Sequence, residues 1–181
     1  MRAADILVKE HDEILNVVAA ASKEASRIAK TGKVDTQLIG EMVDFFQQFV
    51  DKCHHGKEEA DFFPMLEARG ISRFMGPVGC MLTEHDIGRK EVRAIKRALD
   101  AHKKGRANAA AQLARHLAAY ARLLAAHIYK ENEILFKLAD DVLTPQDQSD
   151  LLRNFEVTEQ QNLGDVKLKR YRTWVKKLVD T

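Results

Sequence analysis

One pattern of residues occurs twice along this chain of 181 residues. Glu-His-Asp at residues 10–12 recurs at 84–86, and His-x-x-Lys-Glu at residues 54–58 recurs at 127–131. The two histidines of the pattern lie 43 residues apart in the first copy and 42 in the second. The repeat therefore predicts a duplicated structural unit, in which each copy places its two histidines in equivalent positions.

Apolar residues around these motifs recur every three or four positions, which is the spacing of an amphipathic helix. Four long helices are predicted, over residues 4–28, 36–67, 78–103 and 107–141. Gly32 suits a left-handed helix end, and Asp35 suits the start of the next helix. The short connections predict an all-α fold, an up-down-up-down four-helix bundle.

The more polar stretch after the bundle predicts additional C-terminal helices. Thr144 followed by Pro145 is typical of a helix start, and Gly164 is typical of a break between two helices. We therefore divide the chain into a bundle domain, residues 1–142, and a C-terminal helical appendage, residues 143–181, that packs on the bundle.

Composition narrows the class of protein. The formal net charge is +2, so no overall basic field indicates binding to nucleic acid. Two cysteines are too few for a disulfide framework. The first residues lack the apolar core of a secretory signal, and no apolar run approaches the roughly 18 residues that span a membrane. We therefore expect a cytoplasmic protein that binds neither nucleic acid nor membrane.

Helix length places the repeated histidines in one layer of the bundle. His11 lies 21 residues before the glycine of the first turn and His54 lies 22 after it, so both reach the same height. His85 and His127 each lie 21 residues from the second turn, at Arg106. Four imidazoles are therefore predicted to converge.

Each of the two later histidines has a carboxylate about one helical turn away. His54 and Glu58, like His127 and Glu131, have the i, i+4 spacing that places both side chains on one helix face. The adjacent His55 also precedes a glutamate by four residues. However, helical steps back from His54 meet apolar residues, whereas those from His55 meet polar ones. His54 and Glu58 are therefore predicted to face the core, and His55 to lie in the outer shell of the site or to be exposed.

Four nitrogens and two carboxylates in one layer suit two metal ions better than one. Carboxylates can bridge cations, and neutral imidazoles complete the coordination, a mixture that suits iron or manganese. Zinc is usually satisfied by four ligands. A buried glutamate without a cation would be strongly destabilising. The candidate metal ligands are His11, His54, Glu58, His85, His127 and Glu131.

The order H…HxxxE…H…HxxxE, with the local strings CHHGKEE and HIYKEN, resembles the hemerythrin-like, HHE cation-binding family. The resemblance covers about residues 5–140. It implies a non-haem di-iron centre, oxo- or hydroxo-bridged, in which the six candidate ligands hold two Fe ions and the two glutamates bridge them; Mn or Zn is the alternative. Oxygen-carrying members have a second histidine where this chain has Arg89, which argues against reversible oxygen storage.

The resemblance implies a protein that binds O₂, peroxide, nitric oxide or iron, in sensing, storage or a stress response. One alternative is a di-iron enzyme that decomposes hydrogen peroxide or reduces nitric oxide. Another is a structural module with a single zinc ion or a vestigial site. The protein partner and the oligomeric state are left open by the sequence.

Four residues near the motifs have two interpretations each. Asp12 and Asp86 are candidates for orienting ligand imidazoles, or are acidic residues of the kind favoured near helix starts. Cys53 is either a redox thiol or a buried, inert one. Tyr120 is a radical or proton partner of the metals or, as we favour, a core residue.

Overall fold

The computed structural model describes residues 2–179, and nearly all of them are helical. Six helices follow one another: α1 (Ala3–Thr31), α2 (36–68), α3 (Gly76–Lys103), α4 (109–142), α5 (Pro145–Asn162) and α6 (Gly164–Val179). Within the described residues no strand occurs, and no helix is both long and apolar enough to cross a membrane. The predicted all-α class is confirmed.

The helix ends follow from local residues. Gly32 adopts a φ of 67°, in the left-handed region, and its N–H donates to Ile28 O at 2.8 Å, which closes α1. The Asp35 side chain accepts hydrogen bonds from two backbone N–H groups in the first turn of α2. Thr144 and Asp147 form a reciprocal capping box at the start of α5.

Helices α2 and α4 leave regular α geometry where they carry the repeated motif. Residues Phe46–His55 and Glu58–Phe62 of α2 are π-helical, and so are Glu131–Leu135 of α4. A π turn forms i→i+5 hydrogen bonds and is frequent at functional sites. The wider turn rotates the following residues relative to an α-helix, and so changes the face that they present.

Helices α1–α4 form the bundle, with two separate apolar clusters in its interior. Along α1, Leu7 belongs to one cluster and Ile14 to the other, and His11 lies between them. On α3, His85 separates the two clusters in the same way. The layer of histidines therefore divides the core into two apolar halves.

Helices α5 and α6 pack against α1 and α2. Tyr171 of α6 donates a hydrogen bond to Asp44 at 2.6 Å, and its ring packs edge-on against Phe45 of α2. At the other end of this contact, Arg69 donates two hydrogen bonds to Asp147 of α5, at 2.7 and 2.8 Å. The two helices therefore cover one side of the bundle.

Candidate metal centre

The four predicted histidines meet in the middle of the bundle as two pairs. The Nε2 atoms of His11 and His54 lie 3.0 Å apart, and those of His85 and His127 lie 3.1 Å apart. All four side chains are buried. Each pair joins one histidine from each helix of a hairpin, so the duplicated unit does bring its two histidines together.

Glu58 and Glu131 connect the two pairs. Glu58 places one oxygen 3.4 Å from His54 Nε2 and the other 3.4 Å from His85 Nε2. Glu131 places one oxygen 3.2 Å from His11 Nε2 and the other 3.2 Å from His127 Nε2. Each carboxylate therefore reaches both pairs, as a ligand that bridges two cations would.

No hydrogen-bond donor satisfies these carboxylates. Within residues 2–179, none of the four oxygens has a hydrogen-bond partner, although both side chains are fully buried. Burial raises the pKa of Glu58 well above its usual value, and the nearby charge of Glu131 raises it further. A cation between the carboxylates supplies the missing partner, so the donor set fits a metal.

Two groups of side chains can each hold a metal ion, because their donor atoms all lie within 4.8 Å of one another. The groups are His11, His54, Glu58 and Glu131, and His55, Glu58, His85 and His127. All six predicted ligands belong to them, and Glu58 belongs to both. The arrangement can therefore accommodate two adjacent cations that share a carboxylate.

His55 lies inside the core, so of its two predicted positions, the outer shell of the site or an exposed one, the exposed one is wrong. It is 5% exposed, and its ring stacks on that of His85 with the centroids 3.8 Å apart. Neither of its ring nitrogens has a hydrogen-bond partner in the described part of the chain. The equivalent residue of the second copy, Ile128, is also buried, and it lies in a regular α-helix, so the position after the ligand faces the interior in both copies.

Glu10 and Glu84 orient one histidine of each pair. His54 Nδ1 donates to Glu10 at 2.9 Å, and His127 Nδ1 donates to Glu84 at 3.0 Å. Burial lowers the pKa of His54 to about 4, so its ring is neutral at physiological pH. With the proton on Nδ1, the lone pair of Nε2 points to the metal positions.

The other two histidines find acceptors on the motif of the opposite hairpin. His11 Nδ1 lies 2.8 Å from the side-chain oxygen of Asn132, and His85 Nδ1 lies 2.6 Å from a carboxylate oxygen of Glu59. Glu59 and Asn132 occupy equivalent positions in the two copies of the repeat. All four paired histidines therefore have a fixed ring orientation.

Asp12 and Asp86 do not orient the ligands, and that interpretation is wrong. Asp12 is exposed on α1, and Asp86 is exposed and accepts a hydrogen bond from Arg89 at 3.1 Å. The acceptors are the glutamates two residues earlier, Glu10 and Glu84. These glutamates also belong to the repeat, so the repeat alone could have indicated them.

A buried lysine supports the first orienting glutamate. Lys57 Nζ lies 2.5 Å from Glu10 and 2.7 Å from Glu159 of α5. Burial opposes ionisation of Glu10, but the hydrogen bond from His54, together with the charge and hydrogen bond of Lys57, outweighs this effect and lowers the pKa of Glu10 to about 2. The second copy contains the equivalent pair, Lys130 and Glu84. An anionic glutamate therefore holds the Nδ1 proton in place.

Cys53 and Tyr120 are core residues. Burial raises the pKa of the Cys53 thiol to about 12, which makes it unreactive at neutral pH. Tyr120 is 3% exposed, and its ring packs edge-on against Phe46 with the centroids 4.7 Å apart. Neither residue belongs to the two groups of metal donors.

Comparison with known proteins identifies the family. Residues 2–139 match the hemerythrin HHE cation-binding domain. The chain belongs to the hemerythrin HHE cation-binding family. Uncharacterized proteins of Mycobacterium bovis and Mycobacterium tuberculosis are 23% identical to it over 163 residues, which is 90% of this chain and 63% of each relative. This hemerythrin-like chain therefore spans less than two thirds of the length of the relatives that it matches.

The family and the geometry agree on the class of ligand. The hemerythrin HHE domain is a cation-binding domain, and the histidine and glutamate groups of this member can hold metal ions. Metal binding is therefore the function that the sequence, the structure and the family share.

Proposed function

We propose that this hemerythrin-like protein holds two iron ions and binds a small molecule, O₂, peroxide or nitric oxide, at them. The observation that carries the proposal is the pair of glutamates, Glu58 and Glu131, with four unpartnered oxygens that each approach a histidine. Two cations between the histidine pairs would give all four oxygens a partner, whereas a single cation would not.

Each histidine pair would hold one ion. His11 and His54 would bind the first, His85 and His127 the second, and Glu58 would lie between them with Glu131. Iron at these positions would supply redox chemistry and a coordination position for an exogenous ligand. His55 is a further donor on the side of the second pair.

The chain's own residues fix the donors and exclude water. Phe136 stacks on the ring of His11 with centroids 5.5 Å apart, and Phe63 stacks on His85 at 5.9 Å. Both phenylalanines are buried. Since the Nδ1 protons are held by fixed acceptors, the Nε2 atoms stay preorganised in a dry layer, which strengthens their interaction with a cation.

The donor set favours iron or manganese over zinc. Imidazole and carboxylate are the ligands of non-haem iron and of manganese, and no thiolate is present in either group. Seven donors around two positions exceed the four that satisfy a structural zinc ion.

The first test is the metal content of protein loaded anaerobically with ferrous iron and then exposed to air. We expect about two irons per chain, together with the charge-transfer absorption of an oxo-bridged pair in the near-ultraviolet and visible range. A single zinc ion or no metal, with a thermal stability that chelation does not change, would instead indicate a structural or vestigial site.

Two neighbouring glutamates provide a matched pair of variants. Glu131 is fully buried between the histidine pairs, whereas Glu133 is half exposed and pairs with Lys137. We expect Glu131→Gln to retain less iron than the wild type, and Glu133→Gln to retain the full amount. Equal metal content in both variants would contradict the proposal.

Turnover distinguishes binding from catalysis at the same site. An enzyme would decompose peroxide or reduce nitric oxide faster than free iron, and would lose this activity in Glu58→Ala while keeping its helical content. Reversible ligand binding without turnover would support sensing or storage.

A further inference from the structure

Helix α5 is attached to the part of α2 that carries two of the metal ligands. Three side chains of α5, which we call its contact residues, each bond to a residue of α2: Thr158 to Asp61 at 2.7 Å, Glu159 to Lys57 at 2.7 Å, and Asn162 to the backbone oxygen of Lys52 at 2.8 Å. Residue numbers rise along α5 as they fall along α2, so the two helices run antiparallel here. The three partners on α2 span the stretch that contains His54 and Glu58.

The close approach of the two helices depends on Gly56. A Cβ at this position would lie 3.0 Å from Nδ2 of Asn162. At that distance the amide has to shift, which weakens its hydrogen bond to α2. Gly56 lies midway between His54 and Glu58 in the sequence. Helix α5 therefore packs directly on the turn that joins these two ligands.

A chain of hydrogen bonds leads from α5 to one histidine of the first pair. Glu159 bonds to Lys57, Lys57 bonds to Glu10, and Glu10 accepts the Nδ1 hydrogen bond of His54. The side chains of Lys57 and Glu10 are each 1% exposed, so water does not compete for these bonds. The orientation of His54 therefore depends on a residue of α5.

A chain of aromatic contacts leads from α5 to the other histidine of this pair. The ring of Phe155 lies 6.4 Å from that of Phe62, Phe62 packs edge-on against Phe136 at 5.6 Å, and Phe136 stacks on His11. All three phenylalanines are buried. Because buried side chains are closely packed, a displacement of α5 is transmitted along this row. Both histidines of the first pair are therefore supported from α5.

The second pair of histidines is supported by other helices. His85 bonds to Glu59 of α2, and His127 bonds to Glu84 of α3. Each of these glutamates is held in turn by a cation of α3 or α4. The contacts of α5 therefore act on one of the two metal positions.

We propose that the docking of α5 is energetically linked to occupancy of the first metal position, at His11 and His54. An ion there requires both imidazoles to be fixed, and the contact residues of α5 help to fix them. An ion that binds more tightly when α5 is docked must, by reciprocity, also dock α5 more tightly. Helix α5 is thus a positioning element that carries the state of a buried metal position to the protein surface. The proposal rests on the proposed function, because it requires an ion at that position.

Two substitutions weaken the contact without changing a metal donor or its acceptor. Gly56→Ala adds the Cβ that meets Asn162 and at the same time improves helix propensity, so it does not weaken α2 itself. Thr158→Val keeps the shape of the side chain and removes the hydroxyl that bonds to Asp61. The two variants act at different points of the same contact, so a shared effect reports on docking.

Each variant has a matched control. Gly40→Ala is the control for the glycine variant, because Gly40 is also in α2 and a Cβ there meets nothing within 4 Å. Thr173→Val is the control for the threonine variant, because the Thr173 hydroxyl bonds to Lys169 O within its own helix.

Hydrogen exchange followed by mass spectrometry measures docking in the anaerobic protein, without metal and with two equivalents of ferrous iron. We expect iron to slow the exchange of the α5 amides by about fivefold or more in the wild type. The turn between α3 and α4 should change less. In Gly56→Ala and Thr158→Val the α5 amides should exchange faster than in the two controls.

Competition with a chromophoric chelator then gives the affinity for each ion. Gly56→Ala and Thr158→Val should lower one of the two affinities by about fivefold, the effect of one hydrogen bond, and leave the other unchanged. The controls should bind both ions as the wild type does. If α5 only stabilised the fold, the variants would lower both affinities equally or neither.

The outcomes separate this proposal from the proposed function. Unchanged exchange of α5 on loading, in a protein that holds two irons, would overturn the linkage and leave the proposed function standing. An equal loss of both affinities would also overturn the linkage. A protein that holds one zinc ion in place of two irons would overturn the proposed function, and slower exchange of α5 with zinc would still support the linkage. A protein that binds neither metal would overturn both.

Discussion

The two copies of the repeated motif share their metal donors but not their surroundings. In the first copy, the side chains of Lys57 and Glu10 are each 1% exposed, because α5 covers them and contributes Glu159. In the second copy, Lys130 is 30% exposed and Glu84 is 16% exposed. Duplication therefore reproduces the histidine geometry, whereas the C-terminal helices determine how far water reaches each half.

The copies also differ in the acceptors that hold two of the histidines. His11 meets the neutral amide of Asn132, whereas His85 meets the carboxylate of Glu59, which also accepts a hydrogen bond from Arg89. A carboxylate acceptor increases the basicity of a metal-bound imidazole. The second pair should therefore be the stronger electron donor to its metal.

The largest expected difference between the copies concerns their lysines. Lys57→Met leaves the buried charge of Glu10 without its cation and should lower the free energy of unfolding by about 3–5 kcal/mol. Lys130→Met, at a partly exposed pair, should lower it by at most about 1 kcal/mol. Chemical unfolding followed by circular dichroism measures both. Equal losses would show that α5 does not isolate the first copy from water.

The second prediction tests His55, a potential metal donor of the first copy that has no counterpart in the second. His55→Ile places in the first copy the residue that the second copy has at Ile128. We expect the affinity for one of the two metal ions to fall by about tenfold or more, since a donor or its supporting group is lost. Competition with a chromophoric chelator measures each affinity. Unchanged affinities for both ions would show that His55 does not support either metal position.

A third prediction concerns the rate at which metal leaves. A strong chelator should remove the two ions in two phases, with the faster one from the more exposed second half. Glu159→Gln should accelerate the slower phase by up to about tenfold, because it weakens the support of Lys57, Glu10 and His54. Glu156→Gln, an exposed change on the same helix, should not. A single phase in the wild type would contradict the asymmetry.

The smallest expected effect concerns the attachment of α5 to the bundle. Hydrogen bonds from Arg69 and Thr144 hold the pKa of Asp147 below its usual value. A depressed pKa stabilises the fold above the ordinary pKa of Asp, about 3.9, and this contribution disappears as the pH falls through the lower folded value. Asp147→Asn should therefore lower the denaturation midpoint at pH 7, and by less below pH 4. A deficit that does not change with pH would contradict the ionic attachment.

The ligand layer could be predicted because two simple quantities determine it. The rise per residue of a helix fixes how far His11 and His54 lie from the turn between their helices. The periodicity of apolar residues indicates that His54 lies on the helix face that packs in the core. Both quantities are local, so the sequence alone indicates six convergent side chains. The structure brings all six together.

The other contacts of the site could not be predicted from the periodicity of apolar residues. His55 is buried beside His54, as Ile128 is buried beside His127, although the residues that precede His55 on its own helix face are polar. Asn132 reaches His11 across 121 residues, and Glu159 reaches Lys57 across 102. These contacts depend on how the helices are rotated against one another.

The residue that follows the ligand of the repeated motif also bears on how the two copies diverged. His54 and His127 each lie 18 residues after the first residue of their helices, Thr36 and Ala109, so the extra residue between the histidines of the first copy lies outside α2. The position after the ligand is buried in both copies, as His55 in the first and as Ile128 in the second. A single substitution at a buried position therefore adds an imidazole beside the centre, and one half of a duplicated fold gains a chemical group with no change in the length of its helix.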